Sequence, residues 1–217
     1  MKNNITTIYV IRHGESEGNV QAQTDHNTLL HDEGLGSPLT ERGKEQAKKL
    51  REVLKPIKLA AAFSSDLIRA KETAEILAKP HNVPVITDGS IRERKWGKII
   101  SKGTRLQIET ALRDLNDEEK LAHRYFPEGE TGLEAVQRLI DFLEEIIPVY
   151  NGKTIAVINH GNVMRSFLVK EKFAKYDELP SGSIENTAYF VLETDGKTYK
   201  IKETDGIEKN KKLNDEE

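Results

Sequence analysis

The residues best suited to chemistry lie in four short stretches, and two of these stretches carry a histidine. They are Arg12-His13-Gly14, Arg69, Glu93 and His160-Gly161. A phosphoryl group in transfer spreads negative charge over its oxygens, so catalysis depends mainly on positioning and electrostatic stabilisation. Arginine binds such oxygens with two parallel N–H groups, and neutral imidazole is a competent nucleophile near pH 7. The four stretches therefore indicate phosphoryl transfer.

Each side chain suggests a role through its own chemistry. His13 would attack phosphorus, while Arg12 and Arg69 would bind the phosphoryl oxygens from two sides. A protonated His160 would stabilise the same charge, as an oxyanion-hole donor does. Glu93 would protonate the leaving alcohol and later deprotonate the attacking water. Each residue also has an ordinary structural explanation, so the prediction depends on all of them meeting in one place.

The elements that must position these residues alternate between strands and helices. Strands are predicted at Ile5 to Arg12, Leu59 to Phe63, Val83 to Ile86, Thr154 to Asn159, Ala188–Glu193 and Thr198–Lys202. Helices are predicted after a Thr40 cap, at Asp66 to Ala78, at Thr131 to Ile147 and from about Asn162. This order predicts an α/β fold, a three-layer α/β/α sandwich with a mostly parallel central sheet. Ligands of such sheets lie beyond the carboxyl ends of the strands, where the chemical residues fall.

One domain accounts for the chain of 217 residues. We expect this domain to cover residues 1–205, with an inserted helical segment at about 98–126 and a charged, flexible tail at 206–217. Residues 20–37 are predicted to form a long loop, in which His26 or His31 would be solvated or would contact the substrate.

Composition excludes several classes of function. The sequence has no cysteine, which excludes disulfides and thiol catalysis and fits a reducing compartment. Its net charge of -3 does not indicate a basic surface for binding nucleic acid or an anionic membrane. No apolar run is long enough to span a bilayer, so a cytoplasmic protein is expected. Oligomeric state stays open.

Several motifs, in order, resemble those of the histidine phosphatase superfamily, in its phosphoglycerate-mutase-like branch. They are Val10-Ile11-Arg12-His13-Gly14-Glu15-Ser16 with Asn19, Leu39-Thr40-Glu41-Arg42-Gly43, Ser64-Ser65-Asp66-Leu67 with Arg69, Arg92-Glu93, Pro127-Glu128-Gly129-Glu130-Thr131 and Asn159-His160-Gly161. The resemblance implies a phosphohistidine intermediate on His13, with no metal and no cofactor. It also implies that Asn19 donates to a phosphate oxygen, and we include Ser16, Gly161, Asn162 and Arg94 among the substrate-binding residues.

The family contains both mutases and phosphatases. His160-Gly161-Asn162 with Arg165 resembles the mutase pattern, as does Glu93-Arg94 with Trp96 and Gly97. However, the sequence has no aromatic-Gly-Trp loop between Val20 and Ser37, Lys95 stands where mutases have histidine, and residues 98–125 contain no arginine pair. Without arginines that bind the substrate carboxylate and a loop that closes over the site, water would reach the covalent intermediate. We therefore predict a phosphomonoesterase for a small phosphorylated metabolite, with inorganic phosphate as the other ligand.

Three alternatives accompany this prediction. The first is a cofactor-dependent phosphoglycerate mutase. The second is a non-catalytic phosphate-binding regulatory domain, which would be expected to lack at least one of the five catalytic residues. The third is a metalloenzyme using His13, His160 and Glu93, which is disfavoured because nearby arginines would repel a divalent cation.

A basic cluster would select the non-phosphate end of the substrate. Its members are Arg94, Lys95, Lys98 and Lys102. An ordinary solubilising surface explains the same residues equally well.

Overall fold

The computed structural model describes residues 4–24, 36–97, 108 and 110–210. Its strands are β1 (Thr6–Arg12), β2 (Leu59–Ser65), β3 (Val85–Asp88), β4 (Thr154–Asn159), β5 (Ile184–Thr194) and β6 (Tyr199–Ile207). Its helices are α1 (Glu17–Thr24), α2 (Glu41–Leu54), α3 (Ile68–Ala78), α4 (Asp117–Ala122), α5 (Gly132–Ile146) and α6 (Gly161–Lys170).

The strands form a six-stranded sheet in the order β3-β2-β4-β1-β5-β6. Pairing is parallel from β3 through β2 and β4 to β1, whereas β5 and β6 are antiparallel. The predicted mostly parallel sheet is therefore confirmed. β1 and β4 lie at the centre, so their carboxyl ends place His13 and His160 side by side.

Apolar side chains cover the sheet on both faces, as a sandwich requires. On one face the core contains residues of α5 and α6, including Leu139, Leu143 and Phe167, which are 0% exposed. On the other face, residues of α2 and α3 pack against β2 and β4. β1 contributes to both cores, with Val10 on one side and Ile11 on the other. This double burial fixes the strand that ends at the proposed nucleophile.

Two helices begin at the residues that the sequence indicates. The Thr40 hydroxyl accepts the Gly43 N–H at 3.0 Å and so caps α2. Thr131 and Glu134 form a reciprocal capping box at the start of α5. Each of these helices also carries an apolar side chain that is exposed. Val53 is 60% exposed and Leu133 is 37% exposed.

Some predicted boundaries are wrong. Residues 20–24 belong to helix α1 rather than to a loop, while residues 25–35, with His26 and His31, lie outside the described residues. β5 begins at Ile184, four residues before the predicted start, and β6 continues to Ile207 into the expected tail. The inserted segment is helical at 110–112 and in α4, and its residues 98–107 and 109 also lie outside the description, as do 211–217. Within the described part of the chain, no helix is long and apolar enough to cross a bilayer.

Candidate active site

His13 is held in one tautomer at the carboxyl end of β1. Its Nδ1 lies 2.7 Å from the Gly14 carbonyl oxygen, which can only accept, so Nδ1 carries the proton. Its Nε2 is then unprotonated, and the Nε2 lone pair accepts the Arg69 Nε–H at 3.1 Å. The ring is only 3% exposed. A neutral imidazole therefore presents Nε2 to a cationic neighbour, which is the arrangement a nucleophile for phosphorus needs.

Arg69 connects the two histidines. It is the second residue of α3, is 1% exposed, and places Nη2 3.4 Å from His160 Nδ1. The two imidazole rings are 5.1 Å apart between centroids. Because His160 Nδ1 faces an arginine donor, the ring proton of a neutral His160 belongs on Nε2, which is buried and has no hydrogen-bond partner.

Arg12 completes this group, which we call the histidine–arginine cluster: Arg12, His13, Arg69 and His160. Its Nη1 donates to the Ile184 carbonyl at the start of β5, and its Nε is buried without a partner. Gly161 lies against this guanidinium, since a Cβ there would be 3.3 Å from Arg12 Nε. A larger residue at 161 would press on the arginine.

Burial dominates the protonation of the cluster. It lowers the pKa of His13 well below 6.5, and the positive charges of Arg69 and Arg12 lower that pKa further. The pKa of His160 is lowered well below 6.5 for the same reasons. Burial also lowers the pKa of Arg12, to about 10, although the nearby Glu93 carboxylate opposes this shift. At neutral pH both histidines are therefore uncharged and Arg12 is charged.

Glu93 lies at the amino terminus of α6, beside His160. Its Oε2 accepts the backbone and side-chain N–H groups of Asn162, each at 3.2 Å. Its Oε1 accepts the N–H groups of Arg94 at 2.8 Å and Val163 at 3.3 Å. The partial positive charge of a helix start stabilises a carboxylate in this position. The structure thus brings the predicted Glu93 and Asn162 together next to the cluster.

Asn19 is oriented by three donors on one side of its amide. Its Oδ1 accepts the N–H and hydroxyl of Ser16 at 3.1 Å each and the Asn186 amide at 3.3 Å. The Asn186 amide also donates to the His13 carbonyl at 3.2 Å. With Oδ1 engaged, the Asn19 NH₂ group is left as the free end of the amide. Ser16 faces Asn19, so in this structure it positions the amide rather than presenting its own hydroxyl.

Gly14 and Gly43 are needed because two backbones touch. A Cβ on Gly14 would lie 2.6 Å from the Gly43 carbonyl oxygen, and one on Gly43 would lie 2.0 Å from that of Glu15. Thr73 joins the same loop to α3, accepting the Gly14 N–H at 3.1 Å and donating to the Arg69 carbonyl at 2.7 Å. Residues 13–16, which follow β1 and which we call the nucleophile loop after the proposed nucleophile His13, are therefore held between α2 and α3.

Arg94 does not extend from an open basic mouth. It is 5% exposed and donates to the carbonyls of Glu130 at 2.8 Å and His123 at 2.9 Å. Its guanidinium also lies 4.4 Å from the Tyr125 ring centroid and 5.3 Å from that of Trp96. These bonds give Arg94 a structural role, and its contact with substrate stays a prediction. Lys95 is exposed, and Lys98 and Lys102 lie outside the described residues.

Three side chains near the site were missed by sequence reasoning. Asn186 contacts His13 and Asn19, while Arg138 and Glu130 bind the segment that carries Glu93. Only Glu130 belonged to a recognised motif. In the described residues, no group of three or more His, Asp or Glu side chains is arranged to hold a metal ion.

The sheet order and the strand-end cluster define a known class of protein. The model of the histidine phosphatase superfamily, branch 1, matches residues 8–205, and the chain belongs to this family. The chain is 26% identical over 199 residues to "Uncharacterized phosphatase PhoE" of Bacillus subtilis, covering 92% of this chain and 94% of that protein. It is 30% identical over 172 residues to 2,3-bisphosphoglycerate-dependent phosphoglycerate mutase 2 of Gloeobacter violaceus, covering 75% and 74%.

Solved structures agree on the fold. The structure titled "Bacillus stearothermophilus YhfR" matches with a TM-score of 0.72 and 29% identity, over 93% of this chain and 97% of that chain. A phosphoglycerate mutase from Bacillus anthracis matches with a TM-score of 0.72 and 24% identity, over 94% of each chain. The phosphoglycerate-mutase-like fold predicted from the sequence is therefore confirmed, and relatives of both activities share it.

Proposed function

We propose that the protein is a phosphomonoesterase that hydrolyses a small phosphorylated metabolite through a phosphohistidine on His13. The observation that carries this proposal is the fixed tautomer of His13. Its unprotonated Nε2 accepts the Arg69 Nε–H at 3.1 Å within a buried cationic cluster. The cluster also contains buried donors without partners, on Arg12 and His160, which the oxygens of a phosphoryl group would engage.

The reaction would proceed in two balanced steps. His13 Nε2 forms a bond to phosphorus as the ester P–O bond breaks, and a protonated Glu93 gives its proton to the leaving alkoxide. Glu93 then takes a proton from water as the water oxygen attacks phosphorus. The N–P bond breaks and inorganic phosphate leaves. Arg12, Arg69, His160 and the Asn19 amide would hold the phosphoryl oxygens throughout.

Water is favoured over a sugar acid as the final acceptor. The sequence lacks the mutase loop between Val20 and Ser37 and the arginine pair in residues 98–125. The lack of cysteine supports a reducing compartment such as the cytoplasm for this activity.

A phosphoglycerate mutase remains the second candidate because Asn162 and Arg165 follow His160 with the mutase spacing. A substrate panel run with and without 2,3-bisphosphoglycerate separates the two activities. Release of inorganic phosphate from several esters is the result expected here. Rapid exchange between phosphoglycerate isomers with little phosphate release would favour the mutase instead.

The covalent step has its own test. Phosphoenzyme trapped from a labelled ester should survive alkali and decompose in acid, because an N–P bond is a phosphoramidate. His13→Ala should lower turnover by about 10⁴-fold or more and abolish the label, as removal of a nucleophile does. A labelled His13→Ala protein, or turnover within tenfold of wild type, would refute the proposed function and leave the non-catalytic alternative to be tested by phosphate binding.

A further inference from the structure

An ion pair between two residues that lie elsewhere in the chain holds the segment that carries Glu93. This segment, Ser90–Lys95, is irregular after a single 3-10 turn ending at Ile91. Arg138 on α5 and Glu130 just before α5 form a bidentate pair, with Nε–Oε1 and Nη2–Oε2 distances of 2.8 Å. Their side chains are only 24% and 14% exposed, so water screens the pair weakly.

The pair binds the segment on both sides of Glu93. On the amino-terminal side, Arg138 donates to the Ser90 carbonyl, and its Nη1 and Nη2 lie 3.4 Å and 3.3 Å from the Arg92 carbonyl oxygen. Its Nη2 also lies 3.5 Å from the Glu93 carbonyl oxygen. On the carboxyl-terminal side, Glu130 accepts the Lys95 N–H at 3.0 Å.

A second ion pair ties the segment to the phosphate side. Arg92 binds Asp66 with two bonds, of 2.6 Å and 2.7 Å, and Asp66 immediately follows β2. Three residues later the chain reaches Arg69. The backbone of Glu93 is therefore fixed between the loop that leads to Arg69 and helix α5. Since the segment lacks a regular hydrogen-bond ladder, these side-chain bonds hold the backbone from which the Glu93 carboxyl extends toward its N–H donors at the start of α6.

We propose that Arg138 and Glu130 are positioning residues that hold Glu93 at the right distance for proton transfer to the leaving group. The inference rests on the proposed function, in which Glu93 is the acid. A misplacement of about 1 Å can cost about 10²-fold in rate. The loss falls on the step that needs the proton, so it grows as the leaving group becomes a poorer one.

The test compares leaving groups in the first half-reaction. Single-turnover phosphorylation of the enzyme is measured with p-nitrophenyl phosphate, whose phenolate leaves readily, and with phenyl phosphate, which needs more help from an acid. Arg138→Gln should slow phosphorylation from phenyl phosphate by about 10- to 100-fold, and from p-nitrophenyl phosphate by less than about threefold. Arg138→Lys should fall between wild type and Arg138→Gln, because one ammonium group cannot reproduce the planar fork.

Matched variants keep the test decisive. Glu130→Gln removes the charge with little change in volume and should show the same dependence on the leaving group. It takes the place of Arg138→Gln if that variant fails to fold. Arg51→Gln breaks another Arg–Glu pair, a 2.8 Å contact with Glu52 on α2, and should leave both rates unchanged. Equal slowing with the two esters in Arg138→Gln and Glu130→Gln would overturn the positioning role while leaving the phosphohistidine intact. A wild-type enzyme that never acquires the label would instead refute the proposed function.

Discussion

The two halves of the candidate site are completed in different ways. In the histidine–arginine cluster, the Arg12 Nε and His160 Nε2 atoms are buried and have no hydrogen-bond partner. In the Ser90–Lys95 segment, the Glu93 carboxylate already accepts bonds from Arg94, Asn162 and Val163. Protein N–H groups therefore bind the Glu93 carboxyl oxygens, whereas the donors on Arg12 and His160 are left for an anion to accept.

This difference has an energetic meaning. A buried donor without a partner costs about 1–3 kcal/mol, and a charged one costs more. The folded protein keeps these unpartnered donors in place because the surrounding strands and helices determine the positions of the cluster side chains. Under the proposed function, binding of a phosphoryl group would offset the cost, so the cluster would be preorganised for its ligand. Changes in the cluster should therefore affect every substrate, while changes around Glu93 should depend on the leaving group.

The largest effect that would test this contrast comes from Arg69→Lys. Arg69 spans both histidines with Nε and Nη2, and a single ammonium group cannot replace two divergent N–H donors. We expect kcat/KM to fall by about 10³-fold for all phosphate esters, because arginines that stabilise a transferring phosphoryl group contribute about 10³- to 10⁵-fold. Steady-state kinetics with p-nitrophenyl phosphate and phenyl phosphate measure this loss.

A surface substitution controls for the change of residue type. Arg51→Lys on α2 alters an arginine whose ion pair is with the neighbouring residue Glu52. It should leave kcat/KM within about twofold of wild type. A loss of less than tenfold in Arg69→Lys, or a loss that depends strongly on the leaving group, would contradict the separation between the two halves.

The same contrast explains which features the sequence could predict. Strand alternation places the residues after β1, β2 and β4 at one edge of the sheet, so the meeting of His13, Arg69 and His160 follows from chain order alone. Helix α1 was missed because Val20 and its neighbours show no clear apolar period.

Contacts between distant segments had no comparable signal. Asn186 lies 173 residues from His13, on a part of β5 that extends past the end of β1. The predicted strand began at Ala188, so this overhang lay outside it. The role of Arg138 depends on the irregular Ser90–Lys95 segment, whose path no sequence periodicity describes. Arg94 was assigned to a substrate-selecting basic cluster because its sequence neighbours are charged, but the Tyr125 ring and the His123 and Glu130 carbonyls that bury it are remote along the chain.

A pH effect of intermediate size should separate the cluster from the rest of the protein. Burial and the arginines lower the pKa values of His13 and His160 well below 6.5 in the folded state. Below about pH 6.5 the unfolded chain therefore binds protons that the folded protein does not, and the folded state loses stability as pH falls. Each such histidine contributes up to about 1.4 kcal/mol per pH unit between its unfolded and folded pKa values.

Urea denaturation of wild type and His160→Gln at pH 7, 6 and 5 measures this contribution. The free energy of unfolding of the variant should fall less steeply with decreasing pH, by about 1 kcal/mol per unit between pH 6 and 5. His13→Gln should behave in the same way. The lowered pKa values of Asp66 and Glu130 affect stability at more acidic pH, below their ordinary values. Parallel pH dependences in wild type and both variants would show that the two imidazoles are not buried beside the arginines.

The smallest effect concerns the strained support beneath His13. Thr187 has φ of 63°, a conformation that β-branched residues rarely adopt, and its N–H lies 3.3 Å from the His13 carbonyl oxygen. Strain of this kind costs about 1–3 kcal/mol, and glycine would relieve it at an entropic cost of about 0.5–1 kcal/mol. Thr187→Gly also loses the hydroxyl bond to the Asn186 carbonyl, so the free energy of unfolding should rise by at most about 1 kcal/mol. Activity should change by less than about threefold because the backbone N–H is retained.

The comparison with Thr187→Val separates strain from the loss of the hydroxyl. Valine keeps the branched Cβ but loses the bond that the Thr187 hydroxyl donates to the Asn186 carbonyl at 2.6 Å. It should therefore be less stable than wild type, whereas the glycine variant is more stable. If both variants are destabilised equally, the hydroxyl bond rather than the backbone conformation dominates this position. If the glycine variant is more stable but much less active, rigidity at Thr187 is itself needed to hold the nucleophile loop.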